Sequence, residues 1–221
     1  MAREKERRQR LRITFAKGEE VKYISHLDVM RLWERALRRA SIPLLYSKGY
    51  NPRPKISIAA PLAVGFTGDR EVMDLFLERP ISPPDFATSV RNQLPSGITL
   101  SEVEEVYTAL PSLQSQVQSA EYRVVVEARE PGEAIQDRLA ALLTSVRLPR
   151  ERRGKEYDLR PLIRKLWLEE KGEEECVLGM RLRTGERGTG RPDEVLAELG
   201  LGELVKAIER TQLYFTSPAE I

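Results

Sequence analysis

Ser25-His26-Leu27-Asp28-Val29-Met30-Arg31-Leu32-Trp33-Glu34-Arg35-Ala36-Leu37-Arg38-Arg39-Ala40 is the stretch on which the fold turns. Ser25 with Asp28 three residues later forms an S-x-x-D capping box, which satisfies backbone donors left free at a helix start. The helix it opens runs to about Ala40, because Ile42-Pro43 stops it. Val29, Trp33, Ala36, Leu37 and Ala40 follow the spacing of a core-facing stripe. Outward from this helix the pattern changes period. Residues 11–17 read as a strand before it, and residues 55–60 and 72–77 have strand character after it, with Gly65 and Gly68 in the turn region. Pro83-Pro84 starts a short helix carrying Phe86, Val90 and Leu94 at helical spacing. Residues 98–106 alternate again and read as a strand, so the order is β-α-β-β-α-β.

Residues 107–119 (YTALPSLQSQVQS) are rich in Ser, Gln and Ala and make the best linker candidate. After them the same order recurs. Residues 122–128 form a strand, and residues 133–143 a helix with Ile135, Leu139, Leu142 and Leu143 on one face. Residues 159–170 and 176–184 pair as a hairpin around Lys171-Gly172, residues 192–199 form a short helix closed by Gly200, and residues 205–215 a last strand. Two such units predict an α+β protein of two tandem ferredoxin-like (βαββαβ) halves, each an antiparallel sheet with two helices on one face. The expected domains are residues 1–108, with the basic helix and the GYNPRPK loop, and residues 120–221. The repeat is one of pattern, without residue-by-residue identity.

Composition excludes several function classes. No apolar run approaches the roughly 20 residues needed to cross a bilayer. The basic start, MAREKERRQRLR, has no apolar core and no small-residue cleavage site. The expected location is the cytoplasm, with no membrane partner. The single cysteine, Cys176, and the single histidine, His26, leave no set of ligands for a zinc site or an iron–sulfur cluster within one chain, so neither metal nor cofactor is expected. Lys and Arg total 36 against 34 Asp and Glu, so bulk charge says nothing about nucleic acid and distribution must carry the argument.

That distribution is uneven. Arg31, Arg35, Arg38 and Arg39 fall at i, i+4, i+7 and i+8 and share the helix side opposite the core stripe. Guanidinium forks match phosphate oxygens. The alternative is that these arginines pair with acids such as Glu102, Glu104 and Glu105. The following segment, Tyr46-Ser47-Lys48-Gly49-Tyr50-Asn51-Pro52-Arg53-Pro54-Lys55, is stiffened by two prolines that push Asn51 and Arg53 toward extended geometry. Gly49 permits a positive-φ turn. Aromatic faces interleaved with cations suit base stacking with phosphate neutralisation, although a loop that merely connects helix to strand is the other reading. His26 lies in the first helical turn, where the dipole disfavours its charged form, so the imidazole could serve as a base or simply cap the helix. Ser25, His26 and Asp28 on one turn do not make a hydrolytic triad. In the second half, residues 150–155 (RERRGK) are another candidate site or a solvated loop. Gly185, Gly188 and Gly190 lack the strand–loop–helix setting of a nucleotide site and read as a flexible turn.

Tyr23-Ile24-Ser25-His26-Leu27-Asp28, Glu34-Arg35-Ala36-Leu37-Arg38-Arg39-Ala40 and the segment from Tyr46 to Lys55 closely resemble the radical SAM-linked protein family of uncharacterised bacterial proteins. Its members are encoded beside, or fused to, a radical SAM protein of the cobalamin-binding type, often near genes for an E/G-type ribonuclease and ribosomal proteins. The resemblance covers most of the chain and is strongest from Tyr23 to Leu77, including Pro61-Leu62 and Gly65. Arg53 departs from it, since many relatives carry histidine between the two prolines. A catalytic role for that histidine would be absent here. The resemblance implies an accessory role to a radical SAM enzyme and a link to tRNA, rRNA or the translation apparatus.

The residues admit three functions. In the first, a non-catalytic partner of a radical SAM enzyme binds RNA or presents it. Arg31, Arg35, Arg38, Arg39, Lys48, Arg53 and Lys55 would contact phosphate, and Tyr46, Tyr50 and Asn51 a base or sugar. Tyr23, Ser25, Asp28, Ser47 and Gly49 complete that surface. The second is a metal-independent endoribonuclease with His26 as base, suggested by fold analogy alone. The third is a protein–protein adaptor that docks residues 23–55 onto the radical SAM partner. Sequence alone leaves the oligomeric state open.

Overall fold

Period-two burial starts the first unit. The structure, a computed structural model, describes residues 8–185 and 188–216. The basic run in residues 1–7, and Glu186 and Arg187 of the glycine-rich turn, lie outside the described residues. In β1 (Gln9–Lys17), Leu11, Ile13, Phe15 and Lys17 fall two apart and are all buried. β1 pairs antiparallel with β3 (Thr67–Leu77) on one side and β4 (Ile98–Val106) on the other, and β2 (Ile56–Ile58) pairs antiparallel with β3. The spatial order within this unit is therefore β4-β1-β3-β2.

The helices of this unit begin the same way. At α1 (His26–Arg39), Ser25 Oγ accepts from the Asp28 amide at 3.2 Å and bonds the Asp28 carboxylate at 2.6 Å. At α2 (Pro83–Arg91), Ser82 and Asp85 repeat both contacts at 3.2 and 2.6 Å. Val29, Trp33, Ala36 and Leu37 form the buried stripe of α1, and Trp33 meets Phe15 edge-on with centroids 5.1 Å apart. Truncating such a buried aromatic ring costs about 3–5 kcal/mol.

The opposite face of β1 and β3 is polar and nonetheless covered. Asp74, fully buried, accepts from Arg10 Nε and Nη2 at 2.9 and 2.5 Å and from Arg12 Nε at 2.9 Å. Arg10 also donates to the carbonyls of Leu110 and Pro111 at 2.7 and 3.0 Å. These bonds hold the segment after β4 against the strands. That segment ends in the short helix α3 (Leu113–Gln116).

The chain divides into two units, residues 1–116 and 117–221. In the second, β5 (Val117–Glu127) pairs antiparallel with β10 (Val205–Phe215) and β9 (Glu175–Arg183), and β9 pairs with β8 (Ile163–Lys171). Its order is β10-β5-β9-β8. Tyr122, Val124, Val126, Cys176, Leu178, Met180 and Leu182 form the buried face, on which Ile135, Leu139 and Leu142 of α4 (Gly132–Thr144) are buried too. α5 (Pro192–Glu198) buries Val195 and Leu196. On the other face, a Cβ added to Gly179 would come within 1.9 Å of the Trp167 ring, so the indole lies over bare backbone. The observed class is α+β with antiparallel sheets and five helices among the described residues.

Several expected boundaries shift. The strand expected over residues 55–60 shrinks to Ile56–Ile58, with the Lys55 amide turned to Leu45 O instead. Leu94 falls just outside α2. The linker expected over residues 107–119 is taken up by the Arg10-anchored segment, by α3, and by β5, which begins at Val117. Residues 159–162 turn before β8 begins at Ile163. Where a basic loop was expected at residues 150–155 there is a hairpin, β6 (Pro149–Arg152) and β7 (Lys155–Asp158). Its two-residue turn places Arg153 at φ 53° and Gly154 at φ 73°, the left-handed pair that matches strand twist.

Candidate nucleic-acid interface

The outer side of α1 is the most basic helical surface of the first unit. Arg31, Arg35, Arg38 and Arg39 are all exposed. Arg31 pairs with Asp28 at 3.1 Å, and Arg39 donates to the Gln93 carbonyl at 2.5 Å. Arg35 and Arg38 form no ion pair with any described residue. Of the acids considered as their partners, Glu102 is occupied by Arg70 at 2.8 Å and Glu105 by the Gln9 amide at 2.7 Å.

The segment after α1 forms a closed arm. Leu45 N donates to Phe76 O at 2.7 Å, Lys55 N to Leu45 O at 2.7 Å, and Ser47 N to Arg53 O at 2.8 Å. Ser47 Oγ accepts a further bond from the Arg53 amide at 3.0 Å. Ser47 therefore clamps the arm. Gly49 has φ 140°, as the turn requires. Tyr50 is 100% exposed, Tyr46 is 40% exposed, and Lys48, Asn51, Arg53 and Lys55 are exposed as well. The three basic residues form no ion pair among the described residues.

Register separates the two ends of this surface. The arm springs from the Phe76–Leu77 end of β3, through the Leu44–Leu77 bridge. His26 borders a pocket that includes Glu71 and Ile58. From Glu71 to Leu77 along a strand is roughly 20 Å, and the 14 residues of α1 span about 21 Å. Tyr23, Ser25, His26 and Asp28 thus sit at one end and the base of the 46–55 arm at the other. The arginine stripe runs between them.

At the His26 end, Phe15, Lys17, Val29, Ile58, Ala60, Leu62 and Glu71 complete the pocket lining. Its free volume is about 10 Å³, room for a single water and not for a nucleotide. Lys17, only 2% exposed, donates to the carbonyls of Lys22 and Phe66 at 2.9 and 3.2 Å. Glu71 packs into the space left by Gly68, where a Cβ would lie 2.6 Å from its Oε1. Lys17 and Glu71 were not among the expected site residues. The available signal was a charge at the end of each inward-facing series, Leu11-Ile13-Phe15-Lys17 and Glu71-Met73-Leu75-Leu77. The Ser25 hydroxyl, then Arg31, holds the Asp28 carboxyl below the ordinary aspartate range. Outside this pocket, Tyr23, Leu27 and Val64 are 73%, 65% and 54% exposed.

In the second basic segment, two of the four cations are neutralised, while Arg153 and Lys155 are exposed without an ion pair among the described residues. Arg152 is chelated by the Glu194 carboxylate at 2.6 and 2.7 Å and lies 5.0 Å from the Tyr157 ring, and Arg150 bonds Glu198. Burial first, and then Glu194, pushes the Tyr157 hydroxyl above its ordinary value. Burial likewise raises the Cys176 thiol, leaving an unreactive core cysteine. No group of three or more potential metal ligands gathers among the described residues. No described helix is long and apolar enough to cross a membrane.

Comparison with solved structures finds the same fold in larger proteins. A chain of a Cbf5-Nop10-Gar1 complex matches with TM-score 0.51 and 10% identity over 93% of this chain and 48% of its own. A chain of an H/ACA RNP bound to a substrate RNA containing 2′-deoxyuridine matches with TM-score 0.52 and 10% identity over 96% of this chain and 50% of its own. The protein spans about half the length of the chains it matches. No curated protein matches it. Residues 10–192 match DUF2344, described as uncharacterised proteins conserved in bacteria, and the chain belongs to that family.

Proposed function

We propose that this protein is an accessory RNA-binding or substrate-presenting partner of a radical SAM enzyme, acting in the cytoplasm on tRNA, rRNA or the translation apparatus. The observation that carries the RNA reading is a set of exposed cations without acidic partners: Arg35 and Arg38 on α1, and Lys48, Arg53 and Lys55 around the fully exposed Tyr50. Cations already paired add little to phosphate affinity, whereas unpaired ones release counterions on binding. Tyr46 and Asn51 would add base or sugar contacts. An H/ACA RNP bound to substrate RNA is among the structures sharing the fold, which agrees with this reading. The radical SAM partner rests on the sequence resemblance. The orders β4-β1-β3-β2 and β10-β5-β9-β8 support two tandem ferredoxin-like halves as the domains, meeting between residues 108 and 120.

The test is a salt titration of binding to bulk tRNA and total cellular RNA. Five unpaired cations are expected to give a log–log slope of about −3.5 to −4.5, reduced by Arg35→Ala with Arg38→Ala. No detectable binding at low salt would overturn the reading. The exposed trio Tyr23, Leu27 and Val64 favours a second reading, a protein-docking adaptor. Co-purification with the radical SAM protein that survives nuclease treatment, with no RNA affinity of its own, would select it. The exposed cations and the exposed Tyr50 support recognition, whereas cleavage by His26 rests on fold analogy alone.

A further inference from the structure

The second unit carries a surface outside everything assigned so far: the sheet face opposite α4. Registers place Trp167 beside Gly179, with Arg123 on the far side of it, and Lys165 beside Arg181, with Glu121 on the far side. These side chains alternate with the buried residues Leu166, Leu178 and Tyr122, so they share the face away from the core. Trp167 is half-exposed over the bare backbone of Gly179. The Arg181 guanidinium lies 3.3 Å from the centroid of the Tyr214 ring and is fixed by Ser119 Oγ at 3.2 Å. Tyr214 donates to Glu121 at 2.9 Å, and Glu169 holds Arg123 at 3.4 Å. Lys165 and Arg183 on the same face form no ion pair among the described residues.

We infer that this face is a stacking platform for single-stranded RNA, with Trp167 and the Arg181 plane receiving successive bases and Lys165 and Arg183 neutralising phosphate. The inference rests on the RNA-binding reading but uses none of its residues. Three features support it jointly. A flat indole and a flat guanidinium are the two side-chain surfaces on which unpaired bases stack. Both are immobilised before any ligand arrives, the indole by its seat on Gly179 and the guanidinium by Tyr214 and Ser119, so little ordering is required on binding. Of the acids on this face, Glu121 and Glu169 are engaged with Tyr214 and Arg123, and Glu127 and Glu175 with Arg129 and Lys206. Glu209 lies in register with Arg123, while Lys165 and Arg183 form no ion pair among the described residues. A duplex keeps its bases stacked inside and cannot use such a platform.

The full chain can be titrated with a fluorescein-labelled 12-nucleotide oligouridine, followed by anisotropy and by tryptophan emission. Trp33 is fully buried, so a change in emission on binding reports Trp167. Oligouridine is expected to quench that emission, and a hairpin duplex of equal length is not. Trp167→Ala is expected to weaken oligouridine binding about 5- to 150-fold. Trp167→Phe keeps a ring over Gly179 and should retain most of the affinity. Lys165→Glu, far from the core, should weaken binding whether or not Trp167→Ala folds. Binding with unchanged emission, and unchanged affinity in Trp167→Ala and Lys165→Glu, would overturn this inference and leave the α1 surface standing. Quenching that persists in the Arg35→Ala, Arg38→Ala double variant would support it independently of that surface. No binding of oligouridine or of tRNA would overturn both.

Discussion

Asp74 accepts from two guanidinium groups at once, with no exposure to water. Asp74→Ala would leave Arg10 as a buried charge without its counterion, a change that costs about 3–5 kcal/mol. The expected result is a lower urea midpoint, with Asp74→Asn intermediate because it keeps an acceptor oxygen. Asp28 gives a pH-dependent case. Its folded-state value is lowered, first by the Ser25 hydroxyl and then by Arg31. Its contribution to α1 is therefore fully present above the ordinary aspartate value of about 3.9 and is lost as pH falls through the lower folded-state value. In Ser25→Ala the Asp28 carboxyl is expected to titrate closer to the ordinary value, as read by carboxyl-carbon NMR. At this scale the sequence was partly legible. The S-x-x-D cap and the arginine stripe depend on local spacing alone. Lys17 and Glu71 needed the strand register, and Glu71 lay one residue outside the expected strand.

Among the elements, the arm at residues 46–55 makes the sharpest claim. Lys48 precedes Gly49 at the exposed tip, while Arg53 precedes Pro54 and resists trypsin. Cleavage after Lys48 is expected to be an early tryptic event, and bound tRNA should slow it. Equal rates with and without tRNA, read by mass spectrometry, would place the RNA elsewhere. Legibility of elements followed apolar alternation. Residues 98–106 and 205–215 were delimited correctly from pattern, although bulges interrupt the alternation of both. The β6–β7 hairpin has no apolar face to signal it, since PRER and KEYD are polar and only Arg153-Gly154 marks the turn. Its arginines also show why a charge run misleads: the acids that neutralise Arg150 and Arg152 come from α5, more than 40 residues away.

For the molecule as a whole, a formal net charge of +2 means that long-range attraction to RNA cannot come from bulk charge. Any steep salt dependence must come from local sets of unpaired cations, which makes the slope a count of the contacts actually made. Two units with equivalent strand orders share almost no residue pattern beyond hydrophobic period, so fold class was readable from periodicity while register and coverage of each sheet face were not. Those depend on partners distant in sequence, such as Asp74 for Arg10.

Trp167 and Gly179 also set an order on sequence change. With the indole in place, no side chain larger than hydrogen fits at position 179, because its first carbon would overlap the ring. Position 179 becomes free only after position 167 has lost its bulk, so a lineage that reaches a larger residue at 179 must pass through the loss of tryptophan first. The two sites are then expected to vary together among relatives, with tryptophan tied to glycine. A chain that had given up the pair would also have given up the flat surface on that face.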